Sequence, residues 1–296
     1  MTEKFKIGIV GHGFVGKAVD YGFTHPNVEK FYVDPLYDTS IDDLVAWQPN
    51  TTFICAPTPM GEDGIISATI VEDAVLKLLH HTKCGIAIKS TVTPDIMQRL
   101  AFTADQLGGK DRFVYNPEFL TEANAKYEFV NPEFHIMGGT LGAVQGLIWV
   151  YHTFSMCNMD TIKQMGPVEA AFVKYAANTF LAMKVTFFNQ LYDAVNSMGA
   201  SYNHIIDALE TDTRIGKTHM KVPGFDGKRG FGGACFPKDT AAFNKTFKEF
   251  TLLEECIKIN NTYRSKYELD EREKAQHVNY GQTKKELQDQ IDGYPV

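Results

Sequence analysis

The sequence predicts an α/β fold in which a doubly wound parallel sheet is followed by an all-α domain with a long central helix. Short β-rich runs alternate with amphipathic helical stretches through the first half of the chain, as in parallel sheets covered on both faces. Residues 167–198 contain no glycine and no internal proline, which predicts one long helix. The 296 residues also exceed the usual size of a single core. We expect domains at 1–165 and 166–265 and a polar C-terminal tail at 266–296, a surface helix or partly disordered.

Composition narrows the functional class. The net charge of −7 argues against bulk nucleic-acid binding. We find no apolar run long enough to span a membrane and no signal-peptide pattern. The five cysteines are an odd number and lack the short paired spacings of zinc sites, so we expect no metal and a reduced, cytoplasmic chain.

A glycine-rich turn follows the first predicted strand, Phe5–Val10. The turn reads Gly11-His-Gly13-Phe14-Val15-Gly16 and leads into a helical stretch, the arrangement of a dinucleotide-binding loop. Asp34 ends the second β-rich run, where a carboxylate accepts the ribose hydroxyls and repels a 2′-phosphate. The pattern predicts NAD as the cofactor in preference to NADP.

Polar clusters come after the later strands of the predicted sheet. Pro57 and Thr58 follow one strand, Thr91 follows the next, and the run from Glu118 through Phe119 and Leu120 to Glu122 follows a third. Each cluster alone is ordinary loop sequence. Because the carboxyl ends of parallel strands meet at one edge of the sheet, together they predict a site on the cofactor side.

The predicted 167–198 helix has apolar residues on more than one side, so it needs partners on both. We expect one side to pack in its own domain and the other against a second subunit, giving a homodimer. Lys174 and Asn178 interrupt the apolar pattern and share a face at i, i+4. Lys174 is either part of a site or a lysine that extends along the surface into solvent.

Cys235 follows a glycine-rich run that includes Gly230 and Gly232, and Pro237, Lys238 and Asp239 come directly after it. Pro237 suits the first turn of a helix, so the cysteine is expected just before a helix N-terminus, which favours a thiolate. The alternative is a buried, inert cysteine in a tight turn.

The preceding segment, 212–230, is the most basic part of the chain. It is either a solvated loop or a lid for a phosphorylated ligand, and its cations are Arg214, Lys217, Lys221, Lys228 and Arg229.

Taken in order, these motifs resemble the UDP-glucose/GDP-mannose (nucleotide-sugar) dehydrogenase family, and within it the members that oxidise UDP-glucose at C6. The likeness runs from about residue 5 to residue 263, and its motifs are GHGFVG, CAPTP, KSTV, NPEFLTEA, VKYAANTFLAMKVTFFNQ, TRIG and GFGGACFPKD.

The resemblance implies an NAD-dependent, two-step oxidation of a nucleotide-sugar C6 alcohol to a uronate, such as UDP-glucose to UDP-glucuronate. Cys235 matches the nucleophile that forms a thiohemiacetal and then a thioester. Lys174 and Asn178 match oxyanion-stabilising residues, and Asp239 matches their acid–base partner.

The resemblance also assigns roles around this core. Glu118 and Thr91 match positions that serve hydrolysis and water placement, and Glu122 matches a second carboxylate near the cofactor or the water. Arg214 matches a substrate-binding arginine that reaches across a dimer interface. The remaining matches are substrate-binding Phe119, Leu120, Gly230 and Gly232, and cofactor-binding Pro57, Thr58 and Lys238.

The sequence departs from the family in three side chains, Ala123, Gln190 and Ala234, where Gly, Glu and Ser are usual. The family also adds a third domain that closes over the nucleotide, and we expect this chain to be a short form without it. The sequence leaves open the nucleotide and the sugar. It also leaves open a smaller hydroxy compound as substrate, or a dimeric NAD-binding partner without turnover.

Overall fold

The computed structural model describes residues 3–61 and 63–281. The chain divides into two compact units. The first contains the residues up to Thr58 together with Ser67–Lys174, and the second contains Pro59–Ile66 and the residues from Tyr175 onwards. The division therefore falls inside the long helix, whereas the sequence analysis put the boundary just before it. The predicted limits of 1–165, 166–265 and 266–296 stay a prediction.

The first unit carries a seven-stranded sheet in the order β2-β1-β3-β4-β5-β6-β7. Its strands are β1 Phe5–Val10, β2 Val28–Val33, β3 Thr51–Ile54, β4 Gly85–Ile88, β5 Phe113–Tyr115, β6 His135–Gly138 and β7 Ile162–Met165. All neighbours are parallel except β5 and β6, which pair antiparallel through Tyr115 and Gly138. The sheet is therefore mixed, and it departs from the predicted parallel arrangement at this one pairing.

Helices connect the strands and continue into the second unit. They are α1 Phe14–Gly22, α2 Ile41–Trp47, α3 Thr69–His81, α4 Pro94–Gln106, α5 Ala125–Val130, α6 Leu141–Phe154, α7 Pro167–Ser197, α8 Tyr202–Leu209, α9 Phe236–Thr246, α10 Thr251–Arg264 and α11 Glu271–Ala275. The Rossmann-type sheet followed by a helical region confirms the predicted fold class. Three elements, α2, α5 and β7, were not predicted from the sequence. In the described ranges, no helix is long and apolar enough to cross a membrane.

The strand order reverses at β1, because β2 lies on one side of it and β3 on the other. Such a reversal opens a crevice at the carboxyl ends of the strands, where ligands of open α/β sheets bind. Gly11 occupies that point with φ of +87°, and a Cβ there would lie 2.6 Å from the Cys55 carbonyl oxygen. The first glycine of the motif is thus required by both backbone conformation and space.

A continuous apolar core holds the sheet against its helices. The fully buried Ile7 and Ile9 of β1 and Phe53 of β3 pack with Phe23 and with Tyr151 of α6. These aromatic rings contact one another in tilted and edge-on geometries. The core fixes the strand ends from which the site residues extend.

Within the described residues, the second unit contains most of α7 together with α8, α9, α10 and α11. A small core joins Phe188 and Val195 of α7 to Tyr202 and Ile206 of α8. A separate cluster joins Met60, in the Pro59–Ile66 segment, to Leu269, Val278 and Tyr280.

The stretch from Glu268 to Gly281 differs from the polar surface tail that the sequence predicts. Leu269, Val278 and Tyr280 are buried, and Glu273 is fully buried although it is charged. The physical reason is that the buried Arg264 at the end of α10 supplies Glu273 with a partner inside the unit. The remainder of the predicted tail, 282–296, lies outside the described residues.

Candidate active site

The glycine loop presents open backbone to a ligand. Gly13 is the N-cap of α1, is exposed and has no side-chain cap, and a Cβ built on it meets nothing within 4 Å. Phe14 is also exposed and Val15 is half-buried, whereas a Cβ on Gly16 would collide with the Gly11 carbonyl oxygen. The open amides and the dipole of α1 suit a pyrophosphate, and Gly16 allows close packing of helix and strand.

Asp34 is held beside this loop. One carboxylate oxygen accepts a 2.7 Å hydrogen bond from the His12 amide, and the other accepts a 3.1 Å bond from the Leu36 amide. The bond from His12 lowers the pKa of Asp34, so the side chain is a carboxylate at neutral pH. These contacts leave lone pairs for two ribose hydroxyls, so the residues present fit NAD.

His12, which the sequence analysis did not select, belongs to the same neighbourhood. Its ring nitrogens lie 2.8 Å from Tyr37 Oη and 3.4 Å from Asp20 Oδ2. Only its position between Gly11 and Gly13 could have drawn attention to it.

Two strand-end clusters in the first unit are joined by a hydrogen bond. Thr58 Oγ1 donates to the Thr91 carbonyl oxygen at 2.8 Å, and Pro57 beside it is exposed. Thr91 is half-buried, so its side chain is not sealed in the core. The structure thus brings the predicted CAPTP and KST residues together.

Glu118 and Lys174 form the second pairing predicted to share a site. Lys174 Nζ donates to the Glu118 carbonyl oxygen at 2.5 Å, lies 3.4 Å from Glu118 Oε1 and sits over the Phe119 ring. The other Glu118 oxygen accepts from the Leu120 amide at 2.7 Å. Lys174 is only 5% exposed, so the alternative of a lysine that extends into solvent is wrong.

Two residues that were not predicted as site residues, Lys89 and Asn116, support the Glu118 segment. The buried Lys89 donates from Nζ to both oxygens of Asn116, at 3.0 Å and 3.1 Å, and Tyr151 Oη also donates to the Asn116 side chain. Burial lowers the pKa of Lys89. Lys89 belongs to the KST motif and Asn116 to the NPEFLTE motif, and these motifs were the signal in the sequence that could have identified the two residues. Glu122, further along, is exposed at the start of a short 3-10 turn.

In the second unit, Asp239 is the centre of a buried polar group. Its Oδ2 accepts a 2.6 Å hydrogen bond from Asn178 Nδ2, and its Oδ1 accepts a 2.5 Å bond from Lys238 Nζ. All three residues are buried. Lys238 therefore uses one of its N–H groups in a hydrogen bond within this group, whereas the resemblance assigned Lys238 to the cofactor.

Cys235 is the N-cap of α9, with Pro237 in the first turn, as the sequence predicts. It is the one exposed cysteine of the five, so the alternative of a buried, inert cysteine is wrong. Asp239 lies one turn further along the same helix, and its amide donates to the Cys235 carbonyl oxygen at 2.8 Å. An exposed sulfur at a helix N-terminus is the environment that favours a thiolate.

The glycine loop before Cys235 is held by two asparagines that sequence reasoning missed. Asn189 Oδ1 accepts from the Gly230 amide at 3.1 Å, and Asn260 bonds both the amide and the carbonyl of Phe231. Gly230 has φ of +78°, and a Cβ there would lie 2.5 Å from Asn260 Oδ1. A glycine is therefore required at Gly230.

Arg214 extends from the basic segment into solvent, with 87% of its side chain exposed, and pairs with Asp212 at 2.6 Å. The loop behind it is tied to α7, because Lys184 Nζ donates to the Ile215 and Gly216 carbonyl oxygens. Arg229 is not a free cation, since it bonds Asp193 and stacks on Tyr263. The basic segment is thus partly anchored.

Two domain models of one protein family match the chain. Residues 38–155 match the NAD binding domain of the UDP-glucose/GDP-mannose dehydrogenase family, and residues 168–262 match the central domain of that family. The two matches together cover most of the chain, and the first of them begins after β2.

Individual relatives agree with the domain matches. The chain is 27% identical to the UDP-glucose 6-dehydrogenase of Rickettsia typhi over 86% of its own length, and 28% identical to UDP-glucose 6-dehydrogenase TuaD of Bacillus subtilis over 88%. It spans only 66% and 63% of those relatives' lengths. Among solved structures, it is similar to a UDP-glucose dehydrogenase from Pyrobaculum islandicum, with a TM-score of 0.74 and 26% identity over 88% of this chain and 69% of that one.

Proposed function

Since the chain belongs to the UDP-glucose/GDP-mannose dehydrogenase family, with an NAD-binding domain and a central domain, we propose that it oxidises the C6 alcohol of a nucleotide sugar to a carboxylate. UDP-glucose is the first candidate substrate, because the curated relatives are UDP-glucose 6-dehydrogenases. The product would then be UDP-glucuronate.

One observation carries the proposal. The exposed Cys235, at the N-terminus of α9, lies one helical turn from the buried carboxylate of Asp239. That carboxylate accepts a hydrogen bond from the side-chain amide of Asn178 on α7. A dehydrogenase that stops at an aldehyde needs no nucleophile. A cysteine with an acid–base partner suits an oxidation that passes through a covalent acyl intermediate.

The cofactor would be held by Gly11, Gly13, Phe14, Val15 and Gly16 at its pyrophosphate and by Asp34 at its ribose. Pro57, Thr58, Thr91 and Glu122, at the strand ends, are the further contacts we propose. NAD supplies the hydride acceptor, and each sugar requires two, because alcohol to carboxylate is a four-electron oxidation.

Cys235 acts on the aldehyde. Its sulfur forms a bond to the aldehyde carbon, the carbonyl π electrons move to oxygen, and the resulting thiohemiacetal is oxidised to a thioester. Lys174 and Asn178 donate to the oxygen on which negative charge develops. Asp239 takes up and returns the proton of the reacting oxygen.

Hydrolysis of the thioester releases the carboxylate and restores the thiol. We assign Glu118 and Thr91 to placing the attacking water, because a carboxylate and a hydroxyl can accept and donate its hydrogen bonds. Phe119, Leu120, Gly230 and Gly232 bind the sugar. Arg214, which is exposed and pairs with Asp212, binds the anionic nucleotide.

The test is the stoichiometry of NADH. With UDP-glucose as the limiting reagent, the enzyme should form two NADH for each uronate. Cys235→Ser should lose uronate formation, whereas Cys256→Ser, a half-buried cysteine of α10, should retain it. One NADH per sugar with the unaltered enzyme contradicts the four-electron mechanism.

A panel of nucleotide sugars and small hydroxy compounds distinguishes the remaining alternatives. Turnover with another nucleotide sugar changes the substrate and keeps the mechanism. Tight NAD binding with no turnover on any compound would favour a non-catalytic NAD-binding partner. We further propose a cytoplasmic homodimer, on the cysteine pattern and on the exposed aromatic residues of α7.

A further inference from the structure

We propose that Glu273 is a positioning residue that fixes the Gly230–Gly233 loop and thereby the place of Cys235. Glu273 lies on α11, beyond the 168–262 region matched by the central domain of the family. The inference rests on the proposed function only where turnover is measured, because the position of Cys235 can be tested without a substrate.

Glu273 is fully buried, and four donors converge on its two oxygens. Oε1 accepts from Arg264 at 2.5 Å, from Tyr280 Oη at 2.7 Å and from the Gly233 amide at 3.1 Å. Oε2 accepts from the Asp270 amide at 2.9 Å, which completes a capping box at the start of α11. The carboxylate is therefore held in one orientation by several elements.

The bond to Gly233 connects this buried group to the loop. Gly233 has φ of +78°, and the neighbouring Gly232 lies so close to Arg264 that a Cβ would collide with its guanidinium. With Asn189 bonding Gly230 and Asn260 bonding Phe231, Glu273 gives the loop its last anchor before the cysteine.

Stability alone is a poor explanation for this charge. A buried ion pair recovers its desolvation cost only with good geometry, and an apolar cluster of similar volume is often as stable. Here Arg264 also forms an ion pair with a second carboxylate, that of Asp226, at 2.6 Å. What Glu273 adds is a charged acceptor directed at a loop amide, and a hydrogen bond to a charged acceptor is stronger than one to a neutral acceptor.

The loop reaches Cys235 two residues after Gly233, where the cysteine is the N-cap of α9. A thiolate there is stabilised by the dipole of α9 only if the cap residue keeps its place. Displacement of the loop should therefore reduce the reactivity of Cys235 and the rate of any reaction that uses it.

The experiment compares Glu273→Asp with Glu271→Asp. Both keep the charge and shorten the side chain by one methylene, but Glu271 is 86% exposed on the same helix. We measure the rate at which iodoacetamide modifies Cys235, by mass spectrometry, from neutral to alkaline pH. Glu273→Asp should slow modification about tenfold near neutral pH and move the profile to higher pH, because the thiolate loses its stabilisation. Glu271→Asp should match the unaltered protein.

A folded Glu273→Asp protein with the unaltered profile overturns the proposal. If that variant does not fold, Tyr280→Phe provides the test, since it removes one of the donors that orient Glu273; it should slow modification about threefold, and an unchanged rate overturns the proposal. In an active enzyme, Glu273→Asp should lower kcat and leave KM for NAD unchanged. An unaltered protein that shows no turnover while its variants behave as stated contradicts the proposed function and leaves this inference supported.

Discussion

Asn178 Nδ2 donates a 2.6 Å hydrogen bond to Asp239 Oδ2, and both side chains are buried. Lys238 Nζ donates to the other oxygen of the same carboxylate. The pairing fixes the carboxylate one turn beyond Cys235 on α9, because Asp239 cannot rotate without losing a charge-assisted bond. A general acid–base group needs this kind of fixed geometry before its pKa matters.

Asp239→Asn should lower kcat about a hundredfold, since a positioned acid–base group typically contributes two to four powers of ten. The amide keeps the shape but cannot carry a proton. Asp207→Asn, an exposed acid on α8, is the matched control and should keep full activity. Unaltered turnover in a folded Asp239→Asn enzyme, with NADH absorbance as the measurement, contradicts the assigned role.

Cofactor preference should depend on Asp34. The unaltered protein should bind NAD at least tenfold more tightly than NADP, because the carboxylate accepts the ribose hydroxyls and repels a 2′-phosphate. Asp34→Asn should narrow that ratio, while Asp38→Asn, which removes an exposed charge nearby at φ of +52°, should not. Calorimetric titration of both cofactors measures the ratio, and equal affinities in the unaltered protein would refute the assignment.

Local signals in the sequence were enough to predict the fold class of the sheet unit, although not its elements α2, α5 and β7. The turn from Gly11 to Gly16, the β-rich runs and the proline before α9 each act over a few residues, so the pattern and the structure agree. The antiparallel pairing of β6 could not be read in this way. It depends on how the chain returns through α5, and the residues of His135–Gly138 carry no mark of their strand's direction.

Long-range partners explain the other misses. Asp270 and Glu273 form a capping box that is readable from their spacing. The residues around Glu273 do not show that it is buried. Its burial depends on Arg264, which lies at the end of another helix, α10. The same holds for Asn189 and Asn260, whose role appears only when the loop from Gly230 is folded over them.

Acid should destabilise the sheet unit through His135. Burial lowers the pKa of this histidine, whose Nε2 lies 2.9 Å from the Asn158 carbonyl oxygen. Below the ordinary pKa near 6.5, the unfolded chain binds a proton that the folded chain does not, so stability falls as pH falls from that value to the lowered one.

Urea unfolding at neutral pH and at about pH 5 measures this dependence. His135→Gln, which keeps a donor for the Asn158 carbonyl oxygen, should be less sensitive to acid than the unaltered protein. His81→Gln, at an exposed histidine that ends α3, serves as the control. An identical loss of stability in all three proteins would assign the acid sensitivity to other groups.

Self-association should depend on the aromatic residues that α7 exposes. Phe180 and Phe187 are each 61% exposed on this helix, beside an apolar cavity of about 670 Å³ lined by Leu252 and Ile259. Exposed aromatic residues grouped on one helix are typical of an interface.

The unaltered protein should be a dimer by light scattering at micromolar concentration. The double variant Phe180→Asp, Phe187→Asp should be a monomer, because a buried carboxylate without a partner is costly. Phe225→Asp, which changes a phenylalanine that is 95% exposed elsewhere in the same unit, should remain a dimer; a monomeric unaltered protein refutes the prediction.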